Sequence, residues 1–148
     1  MDPTAVQPTA RPRHLWIVGG LSLLWNAFGA VDYLMTQLQV ESYLSGFTQE
    51  QLDYWNGFPA WVDACWAIGV WGSVLGSVAL LLRQAWAQWA FALSLVGLAG
   101  SSLYTYGLTD GLRIMGGAGP VVFSVLIWVV AIALFIYARV MARRHVLR

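Results

Sequence analysis

Four long apolar runs, separated by short polar segments, make up most of the chain: residues 15–36, 59–82, 85–107 and 120–138. Each is about the length that crosses a hydrocarbon core of roughly 30 Å as a helix. Their apolar surface is too large to hide in one water-soluble core, so they read as helices that lipid covers in part. The pattern predicts an all-α integral membrane four-helix bundle, a single domain over residues 14–142. Pro59 and Pro120 suit the first turns of the second and fourth helices. The pair Arg83-Gln84 leaves so short a turn that the second and third helices must be antiparallel neighbours.

The polar segments carry sharper local detail. Residues 37–45 keep a helical pattern through Leu38, Val40, Tyr43 and Leu44, and Gly46 suits a C′ position. The first helix is therefore expected to protrude a few turns past the membrane. Thr48 and Gln51 then form a capping box, with Phe47 and Leu52 as a hydrophobic staple. This starts a short helix over about 49–56. The aromatic residues Tyr54, Trp55, Phe58 and Trp61 around its end are of the kind that line membrane interfaces, so the helix is expected to lie along the outer headgroups. A loop over about 108–119, holding Arg113 and four glycines, joins the third and fourth helices. Residues 1–13 read as a disordered tail and 143–148 as a basic tail. The segment Arg11-Pro12-Arg13-His14 and the apolar residues 15–25, with Ala27-Phe28-Gly29 as a small-x-small site, also fit a signal peptide. The run is taken here as an uncleaved span.

Charge adds orientation. The chain has eight arginines and no lysine. Arg11, Arg13, Arg83, Arg139, Arg143, Arg144 and Arg148 fall at one set of helix ends, and Arg113 alone at the other. Positive residues stay on the cytoplasmic side, which predicts both termini there, N-in and C-in. Composition agrees with a lipid-embedded chain: 59% of residues are hydrophobic and 10% charged, against about 25% charged in soluble domains. No basic face exists outside the tails, so nucleic acid is not expected as a partner.

The small residues and the intramembrane polar residues are the candidates for specific work. Gly69, Gly72, Ser73, Gly76 and Ser77 form adjoining stripes on the second helix, and Gly97, Gly100, Ser101 and Ser102 answer on the third. Such stripes let helix backbones approach closely, either within one bundle or between two copies of the chain. Asn26 lies near mid-depth of the first helix. Asp32 and Asp63 lie at similar outer depth on the first and second. A carboxylate there needs a partner, and two such acids close together share a proton or bind a cation. Arg113 and a tyrosine of the third helix are the expected partners. Trp25 and Asp32 share a face seven residues apart, Asn26 and Tyr33 repeat that spacing alongside, and Asp63 faces with Trp66. With Tyr104 and Tyr106 these outline an outward-facing aromatic and acidic half-pocket for a cationic or amphipathic molecule. The bland alternative is a packed aromatic core with satisfied polar tips.

Catalytic motifs are missing. The two histidines, His14 and His145, lie at helix ends, the single cysteine, Cys65, excludes an internal disulfide, and Gly116-Gly117-Ala118-Gly119 lacks the lysine of a phosphate loop. No cofactor or metal is expected, and no enzymatic activity. The run Leu24-Trp25-Asn26-Ala27-Phe28-Gly29-Ala30-Val31-Asp32-Tyr33-Leu34-Met35-Thr36, with Tyr43-Leu44, Phe58-Pro59-Ala60-Trp61 and Trp66-Ala67-Ile68-Gly69-Val70-Trp71-Gly72, resembles an uncharacterised family of small four-helix inner-membrane proteins of proteobacteria, some of them labelled sugar transporters. The resemblance covers about residues 16–144. It implies this topology and a bacterial inner-membrane location, and no functional residue is carried over from it. The expected role is an accessory or interaction subunit, docking on a larger membrane assembly or on itself. The alternative is an oligomeric small-solute carrier or a ligand-binding membrane protein using the outer half-pocket. The inner half, dry at 80–82 and 131–136, weighs against a through-going transport path.

Overall fold

A computed structural model describes residues 12–148; the expected tail over residues 1–13 lies almost wholly outside the described residues. The described residues are all-helical: α1 (Arg13–Gln37), α2 (Glu41–Leu44), α3 (Gln49–Asn56), α4 (Ala60–Leu81), α5 (Ala87–Ser102), α6 (Gly111–Ile114) and α7 (Ala118–Arg143). A π-helical segment, Leu103–Leu108, continues α5. Four helices are long and apolar enough to cross a membrane: α1, α4, α5 with its π-helical extension, and α7. Their outward faces are apolar, with Phe28, Trp89 and Val122 each about two-thirds exposed.

α4 is the centre of the bundle. Its glycine stripe packs on α5, the most extensive contact in the molecule, and its serine stripe faces α1. A Cβ at Gly97 would fall 2.5 Å from the Gly69 nitrogen, one at Gly72 would fall 3.2 Å from the Ala90 carbonyl, and one at Gly76 would meet the Phe91 ring at 2.8 Å. Gly100 faces Cys65 Sγ in the same way. So the small stripes are spent within the chain. On the other side of α4, Asn26 of α1 donates to Ser77 Oγ at 2.9 Å and to the Ser73 carbonyl at 3.3 Å. This satisfies the one amide at mid-depth and ties α1 into the bundle. α7 packs on α5.

The buried core sits at the arginine-rich end, where Leu15, Leu80, Phe91, Leu134, Ala138, Met141 and Leu147 meet. His14 and Tyr137 close α1 on α7 there at 2.6 Å. One sequence expectation fails at a helix end. α1 does not protrude to residue 45: it stops at Gln37, and Gly46 is not its C′ residue. Gln39 takes the left-handed conformation, φ 52°, and Val40 N–H bonds back to the Met35 carbonyl. That is a Schellman stop built without glycine. Arg83 and His145 end α4 and α7 in the same way. The basic segment over 143–148 folds back on the bundle. α7 runs to Arg143, Leu147 is buried, and the Arg148 backbone pairs with Arg83 and Ala85 at 2.7 Å each, folding the last residues under the α4–α5 turn.

At the opposite end α3 and α6 form a cap. The capping box is complete: Gln51 N–H donates to Thr48 Oγ1 at 3.2 Å, and Thr48 N–H to Gln51 Oε1 at 3.1 Å. Phe47 meets Trp55 edge-to-face, ring centres 4.8 Å apart, and Gln51 Nε2 reaches the Ile114 carbonyl. Thr48→Ala is expected to loosen α3 by about 1 kcal/mol. Hydrogen exchange at residues 51–55 should then accelerate several-fold, and an unchanged rate would mean the cap does not hold the helix.

Candidate ligand-binding cavity

Between the helices, in the half of the bundle away from the buried core, lies a cavity of about 560 Å³. All four spans contribute to it. α1 supplies Trp25, Phe28, Gly29 and Asp32; α4 supplies Cys65, Trp66, Gly69, Val70 and Ser73; α5 supplies Leu98 and Ser101; α7 supplies Phe123 and Ile127; and Tyr43 reaches in from α2. The volume is in the range of small-molecule sites, and the lining is of the usual kind: apolar and aromatic walls with few polar groups. Among the described residues, Asp32 is the only charged side chain in the wall. It also lines a smaller recess of about 200 Å³ shared with Trp55, Phe58, Thr105 and Met115, which lies under the α3–α6 cap.

Local backbone explains why Asp32 faces this space as it does. The left-handed Gln39 turns the chain back, so α2 lies beside the end of α1 and the Tyr43 hydroxyl donates a short hydrogen bond to Asp32 Oδ1. Partial burial, then the hydrogen bond to Asp32 and its charge, push the Tyr43 phenol up to about 12. The neutral phenol is thus the form the fold favours. This contribution to stability is fully present below the ordinary tyrosine value near 10 and is lost as pH rises through about 12. A tyrosinate difference spectrum between the wild type and Tyr43→Phe should show Tyr43 ionising near 12; a transition near 10 would show that Tyr43 does not hold Asp32.

The residues singled out from sequence divide. Trp25, Asp32 and Trp66 line the cavity. Tyr33 stands behind it, edge-on to Trp66 at 5.0 Å. Asn26 is occupied by Ser73 and Ser77. Asp63 lines neither the cavity nor the recess, and its contact is Gln37 Nε2 at 3.4 Å. Tyr104 packs among Tyr54, Phe58 and Trp61 at 5.4–6.2 Å. Tyr106 bonds to Ser124 at 2.5 Å. Arg113 pairs with exposed Glu50 at 3.0 Å. The expected partners of the two acids, Arg113 and a tyrosine of the third helix, are therefore corrected to Tyr43 for Asp32 and Gln37 for Asp63. Charge counting pointed to Arg113 as the one outer cation, but it cannot choose among the acids available, and α3 sets Glu50 nearest.

Sequence reasoning missed Phe28, Tyr43, Ser101 and Phe123. Tyr43 was hidden by the non-glycine turn at Gln39. Phe123 was one more apolar residue in a lipid-facing helix; its ring lies 6.0 Å from Trp25 and bridges α1 to α7. Among the described residues no group of three His, Cys, Asp or Glu is placed to hold a metal ion. Fold and cavity together define a helical protein with four membrane-length spans and an acidic, aromatic-walled recess. Comparison with protein-family models, curated proteins and solved structures finds no match to this chain.

Proposed function

We propose that this chain is a non-enzymatic, ligand-binding protein of a bacterial inner membrane, with both termini cytoplasmic, and that its cavity takes a small organic cation from the outer side. The observation that carries this reading is one carboxylate, Asp32, set among Trp25, Trp66 and Phe123 in a cavity where none of the described lining residues is positively charged. Aromatic faces and a carboxylate both attract a cation, and neither favours an anion. The arginine distribution supports the orientation, so a reporter fused after Arg148 is expected to be active only in the cytoplasm. The polar half of the bundle then faces out, with α3 along the outer interface.

Calorimetric titration with tetramethylammonium tests the binding. Saturable one-site binding supports the reading, and heats no larger than those of protein-free controls would contradict it. The accessory-subunit reading draws on a different observation. α7 is the least buried of the four spans, at 11% against 17–28% for the others, and so has the most face to offer a partner helix.

A further inference from the structure

The cavity continues sideways into a second space. A crevice of about 470 Å³ lies between α1 and α7, lined by Val18, Leu21, Ser22, Leu24, Val130 and Leu134, and it shares Trp25 and Phe28 with the main cavity. Below it, His14 and Tyr137 close α1 on α7; above it, Trp25 and Phe123 bridge them. The crevice is therefore a window between two points of closure. Among the described lining residues Ser22 carries the only hydroxyl, and it donates to the Gly19 carbonyl of its own helix at 2.9 Å. The walls face outward over much of their area, Leu21 at 63% and Leu24 at 59% exposed.

Building on the cation-binding reading, we infer that the occupant is a membrane amphiphile with a cationic head and an alkyl chain, entering from the bilayer between α1 and α7. The head sits at Asp32, and the chain passes Trp25 and Phe28 into the crevice. Charge complementarity fixes which end goes where: the one carboxylate is at the cavity end, and no described residue that lines the crevice is charged. Length fits as well. Asp32 and Val18 are 14 residues apart on one helix, roughly 21 Å along its axis. A short hydrophilic cation would leave the crevice unfilled. A neutral lipid would leave Asp32 paired with Tyr43 alone.

The test compares dodecyltrimethylammonium with tetramethylammonium on the full chain in nanodiscs of an uncharged galactolipid, with empty nanodiscs as the blank. The dodecyl compound should bind at least about tenfold more tightly. Val130→Trp, which fills the crevice, should remove that advantage and leave tetramethylammonium binding unchanged. Leu21→Trp narrows the same space from the exposed wall, where folding tolerates bulk, and carries the readout if Val130→Trp does not fold. Equal affinities for the two cations, or crevice variants that weaken both alike, would overturn the amphiphile inference while leaving the cation site standing. Failure of both cations to bind would overturn the cation site and this inference with it.

Discussion

Gly97→Ala should make the bundle easier to unfold by about 2 kcal/mol. The added methyl would meet backbone atoms of Gly69 and Cys65 on α4, not the far end of a flexible side chain. Backbone cannot turn aside, so α4 and α5 must separate along their whole contact. Such overpacking costs about 1–3 kcal/mol, and this site belongs at the upper end. The better helix propensity of alanine, about 1 kcal/mol, offsets part of the loss. Gly20→Ala is the matched control, because nothing lies within 4 Å of a Cβ there; it should be neutral or slightly stabilising. Unfolding midpoints in detergent, followed by circular dichroism, check the pair. Equal midpoints would mean that the α4–α5 approach is not the main joint of the fold.

Asp32→Asn should weaken cation binding by about tenfold, roughly 1.4 kcal/mol. The amide keeps the size of the side chain and its bond to Tyr43 but loses the charge. Asp63→Asn is the internal comparison. Asp63 lines neither cavity nor recess, so its loss of charge should leave affinity unchanged. If the two variants weaken binding equally, the effect comes from the general negative potential of that end of the bundle and not from a site at Asp32.

The residues that were legible in sequence and those that were not differ in kind. Four spans follow from the length and apolarity of their runs, and α3 follows from Thr48 and Gln51, because side chains of that chemistry act on their own backbone. The joint between α4 and α5 was visible as glycines and serines at four-residue spacing. The half of the spans that holds the acids and the half that is dry also correspond to where the cavity and the buried core lie. What could not be read depends on backbone turns without a dedicated residue. Gln39, Arg83 and His145 all adopt the left-handed conformation that usually falls to glycine. The first of them aims Tyr43 at Asp32, and the other two order the turn and terminus at the arginine-rich end. The π-helical segment from Leu103 to Leu108 is likewise unmarked in the sequence; Thr109 Oγ1 bonds back to the Tyr104 carbonyl there at 2.8 Å. Pairing by count of opposite charges misled at Arg113, since Coulomb attraction between exposed groups is too weak to select a partner that the fold has not already placed close.

The proposed function requires that this chain hold a cationic ligand in the cavity at Asp32. Native mass spectrometry of the protein released gently from its own membrane tests this most directly. A single low-mass adduct is expected on the wild-type chain, reduced or lost in Asp32→Asn and retained in Asp63→Asn. A chain released bare from its membrane, or one bound only to a second protein with no dependence on Asp32, would contradict it.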